Sequence, residues 1–192
     1  ASFLPRYYVG AYGLELTTAG ILAGLYSLPG SIFRAVGGWM SDKWGARFVI
    51  YITFAVSLMV LLLMSYPGSR YIVQGINGAI EFDIRVSLGL FVTLSIILGF
   101  VMSLGKAAVY KHIPHYYPNH VGSVGGLVGM IGGLGGFILP IAFGILLDAT
   151  GIWTAPFMLL FVLVAVSTLW MHAAIRKIER KQHPSTGIRT YS

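Results

Sequence analysis

Five apolar stretches divide the chain: roughly Thr17–Met40, Phe48–Tyr66, Val86–Tyr110, Val121–Leu147 and Trp153–Ile175. Each is close to or longer than the about 20 residues that a helix needs to cross a hydrocarbon core of about 30 Å. A helix satisfies its own backbone polar groups, so runs of this length predict membrane-spanning helices. Residues 1–16 carry Arg6 and Glu15 among aromatic and apolar side chains and are too short to cross. The gaps predict the connectors. Ser41–Arg47 reads as a tight polar turn, Lys106–His120 as a loop, and Ala149–Ile152 as a short turn with a glycine stop. Within Pro67–Arg85, Gly75-Ile76-Asn77-Gly78 stands between alternating apolar residues, which predicts a small hairpin.

Composition makes the membrane assignment firm. The chain is 56% hydrophobic and 10% charged, with a mean hydropathy of +0.79, whereas soluble domains carry about a quarter charged residues. It has no cysteine, so disulfides and thiol chemistry are excluded. A net charge of +7 in a soluble protein would suggest nucleic acid. Here the position of the cations explains it, and no nucleic-acid partner is expected. Lys43, Arg47, Lys106, Lys111, Arg176, Lys177, Arg180, Lys181 and Arg189 fall on one side of a five-span arrangement, and Arg6, Arg70 and Arg85 on the other. The positive-inside rule then puts the start of the chain outside and its C-terminus in the cytoplasm of a cell whose inner membrane it spans. Arg176–Lys181 reads as a topology anchor, and residues 182–192 as a disordered cytoplasmic tail. His112, His115 and His120 read as solvated loop residues. The opening Ala1-Ser2-Phe3-Leu4-Pro5 looks like the continuation of something already under way.

One cation is left inside a span. Arg34 shares a helical face with Ser27, Gly30, Ser31, Gly37, Gly38 and Ser41, while Leu25, Leu28, Ile32 and Val36 fall elsewhere. A small, polar stripe of this kind suits a helix that lines a cavity. An intramembrane arginine is costly unless it meets a partner, a ligand or water. Snorkelling to the headgroups is one answer, but side chains lean toward the helix N-terminus, here toward the bilayer centre. A buried carboxylate is a second, yet no Asp or Glu falls in the interior of any predicted span. The third is an anionic ligand. Pro29, just above, is expected to bend or loosen the helix.

A second feature fits an anion. Eight glycines lie between Gly122 and Gly136, spaced by Leu, Val, Met and Ile rather than by loop residues. On a helix Gly122, Gly126, Gly129, Gly133 and Gly136 form one row, and Gly125, Gly129, Gly132 and Gly136 a second beside it. Such a face admits another helix or a small flat ligand to the bare backbone. A guanidinium donates in a planar fork and suits planar oxyanions. A sugar site would want amide side chains that these spans almost lack. Glycine spacing alone equally permits a membrane sensor or structural subunit in which the face only packs helices. No nucleophile–base pair, metal-ligand cluster or phosphate loop points to an enzyme, a metal or a cofactor.

Between the first two spans, Gly38, Asp42, Lys43, Gly45 and Arg47 set an acid and two bases around a glycine turn. This run resembles the signature loop of the major facilitator superfamily. The glycine run from Gly125 to Phe137, with Leu139-Pro140 after it, is similar to the nitrate signature of that superfamily's nitrate/nitrite porters. Phe3-Leu4-Pro5-Arg6-Tyr7-Tyr8, Arg34-Ala35-Val36-Gly37-Gly38 and Gly105-Lys106-Ala107-Ala108-Val109-Tyr110-Lys111-His112-Ile113-Pro114 are similar as well. The resemblance implies an all-α membrane helical bundle, with residues 1–181 as the C-terminal six-helix half: five full spans plus the end of a sixth. It implies alternating access, with nitrate held between one arginine from each half, of which Arg34 would be the C-terminal one. Ser31, Gly129, Gly132, Gly133 and Gly136 would line the same site, and the signature loop would act in gating. The partner half is absent from this sequence, so the piece is not expected to transport alone. The lack of an interior Asp, Glu or His in the spans favours nitrate/nitrite exchange, as in an antiporter, over proton symport. A porter of another small anion, such as a carboxylate, is the alternative substrate reading.

Overall fold

The computed structural model describes residues 2–182 apart from Asn77. In chain order the helices are α1 (Leu4–Tyr12), α2 (Leu16–Ile32), α3 (Arg34–Trp44) and α4 (Ala46–Met64). A hairpin of β1 (Ser69–Gly75) and β2 (Gly78–Ile84) follows, then α5 (Leu88–Tyr116), α6 (Val121–Thr150) and α7 (Ala155–Gln182). Four of these helices, α4 to α7, are long and apolar enough to cross a membrane, and α2 with α3 makes a fifth if the bent pair is one span. The molecule is therefore a multi-pass membrane helical bundle of four or five crossings, with one small antiparallel hairpin. In that hairpin Gly75 pairs with Gly78 and Ser69 with Ile84, as the Gly-Ile-Asn-Gly signal predicts.

Helix α5 is the hub, packing on α2, α3 and α4, while α7 lies on α4. Single glycines let these backbones approach. A Cβ built on Gly37 of α3 would stand 2.7 Å from the Leu104 Cα of α5. One built on Gly99 of α5 would collide with the Tyr26 carbonyl of α2. At the far end from the α3–α4 turn, short α1 seals the bundle with aromatic rings. Tyr7 stacks on Phe91 at 4.6 Å between centroids and meets Phe157 edge-on at 5.0 Å. Such pairs add about 0.5–1.5 kcal/mol each beyond area burial.

Three expectations need correction. The first span, read as continuous over Thr17–Met40, is broken at Phe33, and its two halves are bent by 43°. The break closely follows Pro29 and Gly30, the two poor helix formers of this stretch. The connector Lys106–His120 is mostly helix: α5 runs on to Tyr116 and leaves only a 3₁₀ turn at Pro118–His120. Lys106-Ala107-Ala108 and Lys111 are good helix formers, so charge ends an apolar run there without ending the helix. His112 and His115 accordingly sit on α5 and not in a loop. The turn Ser41–Arg47 shrinks to Gly45 alone, at φ +86°. Helix α7 extends through Gln182, the first residue of the expected tail 182–192, and the rest of that tail lies outside the described residues.

Candidate functional site

The break at Phe33 decides where Arg34 stands: it is the first residue of α3, beside the Ser/Gly stripe of α2. The C-terminal end of α2 lies one residue away and offsets the dipole of α3, so the charge at the break is that of Arg34 itself. A groove of about 260 Å³ opens there, lined on one wall by Ser27, Gly30, Ser31 and Arg34. Its other wall is α5, with Gly99, Ser103 and Lys106. Among the described residues no acidic side chain lines the groove, and Arg34 and Lys106 have no ion-pair partner. Four of the acids pair elsewhere, as Arg6–Asp148, Arg70–Glu81, Arg85–Asp83 and Lys111–Asp42. An open groove with two cations and no carboxylate can hold a small anion.

The signature loop is tied to the last turns of α5. Asp42 forms an ion pair with Lys111, and Arg47 donates to the Tyr116 hydroxyl from Nε at 3.2 Å and Nη2 at 2.6 Å. Gly45 supplies the positive φ that the one-residue turn demands. Lys43 stands 5.2 Å from the Trp39 ring centroid, a cation–π contact. Ser41 is buried and donates to the Gly37 carbonyl at 2.7 Å. The Asp42–Lys111 pair is partly exposed, so Asp42→Asn is expected to change unfolding stability by less than about 1 kcal/mol. Thermal unfolding of the purified protein checks it.

The glycine row of α6 is not part of the groove wall. A Cβ on Gly122, Gly126, Gly132, Gly133 or Gly136 would meet nothing, and on Gly129 only the Tyr110 hydroxyl at 3.4 Å. Helix α6 packs against α5 and α7, and its buried side chains, Phe143 and Leu147, lie beyond the glycines. The structure thus unites Arg34 and Ser31 with the groove and leaves the glycine face open. Two residues escaped the sequence reading. Lys106 was counted as a loop cation, although its two-turn spacing from Gly99 puts both on one face of α5. His172, near the end of the last predicted span, shares a 3.0 Å hydrogen bond between its Nδ1 and the Tyr51 hydroxyl of α4. That span therefore does contain a titratable group.

The fold and site describe a multi-pass membrane protein with a cationic groove. The family model of the Major Facilitator Superfamily matches residues 1–190, and the chain belongs to that family of transporters. It is 43% identical over 185 residues to the probable nitrate/nitrite antiporter NarK1 of Thermus thermophilus, covering 95% of this chain and 41% of the relative. To the probable nitrate transporter NarT of Staphylococcus aureus (strain bovine RF122 / ET3-1) it is 29% identical over 175 residues, 91% of this chain and 40% of the relative. The chain thus spans about two fifths of the length of the curated relatives that it matches. No solved structure matches it.

Proposed function

We propose that this chain is the C-terminal half of a nitrate/nitrite porter of the cytoplasmic membrane, with its C-terminus inside the cell. The observation that carries the reading is the broken helix, which sets Arg34 on a groove that no described acidic side chain lines. Discontinuous helices form the substrate sites of other transporters as well. Helix α1 is the end of the first helix of this half, and a six-helix N-terminal half completes the site with a second cation. The anion sits on Arg34 and Ser31 in the groove, and the glycine face of α6 at Gly129, Gly132, Gly133 and Gly136, outside the groove wall, is the further surface it meets as the halves close. The open space over those glycines supports this placing, since a flat ion can reach the bare backbone there. Neutralising both cations lets the halves close around the anion, and the loop through Gly38, Asp42, Lys43, Gly45 and Arg47 opens or holds one end as they rock. Nitrate/nitrite exchange is the proposed cycle, and half of the bundle does not perform it alone.

Nitrate uptake into vesicles holding the complete transporter tests the substrate. Competition by nitrite with none by acetate or formate is expected; competition by the carboxylates at equal strength contradicts it. The glycine face gives a separate check. Gly133→Ala is expected to leave folding intact, or to stabilise the helix by up to about 1 kcal/mol, because its methyl meets nothing in this chain. Nitrate affinity should nevertheless fall, which titration of uptake rates measures. Unchanged affinity with impaired assembly would favour a face used for packing alone.

A further inference from the structure

Lys106 lies ten residues before the end of α5 at Tyr116, about 15 Å along the helix, so it is no simple terminal anchor. The close approach of Gly37 to Leu104 fixes its height: the start of α3 and the Lys106 turn of α5 face each other across one groove. Both helices run the same way, and the Gly37 contact places the Lys106 backbone nearer the Asp42 end of the bundle than Arg34. Its side chain tilts back along α5, toward Arg34. Two cations sharing a low-dielectric groove repel each other unless an anion lies between them. Ser103, which lines the same wall, already spends its hydroxyl proton on the Phe100 carbonyl at 2.8 Å, so it is not a free donor to a ligand. Lys106 is the donor that α5 offers.

We propose that Lys106 is a second anion-binding residue of the groove, contacting the same small oxyanion as Arg34 from the α5 wall. The inference rests on the transport reading above and deepens it: affinity is set within this half by two cations and not by Arg34 alone. An ammonium is a compact point charge with three donors, so it adds attraction without demanding a fixed ligand orientation.

Uptake kinetics of the complete transporter with Lys106→Gln and Lys106→Arg provide the test. Lys106→Gln is expected to raise the KM for nitrate about tenfold, with the maximal rate per inserted molecule within about twofold of the unaltered protein. Lys106→Arg should restore the KM to within about threefold, which a merely structural lysine would not require. In the unaltered protein, nitrate should also slow modification of Lys106 by a small amine-reactive reagent, read by peptide mass spectrometry against Lys43. An unchanged KM in Lys106→Gln, or labelling of Lys106 that ignores nitrate, overturns the inference. If Arg34→Ala still abolishes flux in that case, the transport reading stands without it. Undiminished flux in Arg34→Ala removes the reading itself.

Discussion

Arg34→Ala is expected to abolish saturable nitrate flux, lowering the ratio of maximal rate to KM by roughly a hundredfold or more. A guanidinium that donates two charge-assisted hydrogen bonds to an oxyanion contributes about 3 kcal/mol, and no neighbouring acid shares its charge among the described residues. Removing an intramembrane cation makes insertion easier, not harder. A loss of flux therefore cannot be blamed on failed insertion. Arg34→Lys should lose flux as well, since it keeps the charge but not the planar fork. The amount of protein in the membrane, measured beside uptake, separates these outcomes from poor expression.

The second large effect concerns two adjacent glycines with opposite surroundings. Gly37→Ala pushes a methyl against the Leu104 backbone, at 2.7 Å from its Cα and 3.0 Å from its carbonyl oxygen. Backbone cannot rotate away, so α3 and α5 must separate. Overpacking of this kind costs typically about 1–3 kcal/mol, more than the about 1 kcal/mol that alanine returns to the helix. Gly38→Ala meets open space and should be neutral or slightly stabilising. Thermal unfolding of the two variants should thus move in opposite directions. Gly37→Ala should also weaken nitrate binding, because Arg34 sits one turn away on the same short helix.

Much of this was legible in the sequence. The hairpin could be read because two glycines and an asparagine interrupt alternating apolar residues. Arg34 stood out because nothing else charged occurs within the first apolar run. A bend was expected at Pro29, but the place of the break was hidden, since Phe33 is as apolar as its neighbours. Lys106 was counted with the loop although it falls inside the Val86–Tyr110 run, because a charge was taken to end the span, whereas helix propensity decides where the helix ends. Glycine spacing was the most misleading guide to packing. The dense run on α6 meets almost nothing in this chain, while Gly37 and Gly99 come closest to the backbone of another helix. Periodicity finds a smooth face but not what lies on it.

The proposed cycle exchanges nitrate for nitrite through a groove anchored by Arg34. Counterflow tests it most directly: proteoliposomes with the complete transporter are loaded with nitrite, and labelled nitrate is added outside. Transient accumulation of label above equilibrium, absent from liposomes with Arg34→Ala, is the predicted result. Nitrate entry no faster than in protein-free liposomes, or counterflow that survives in Arg34→Ala, would contradict it.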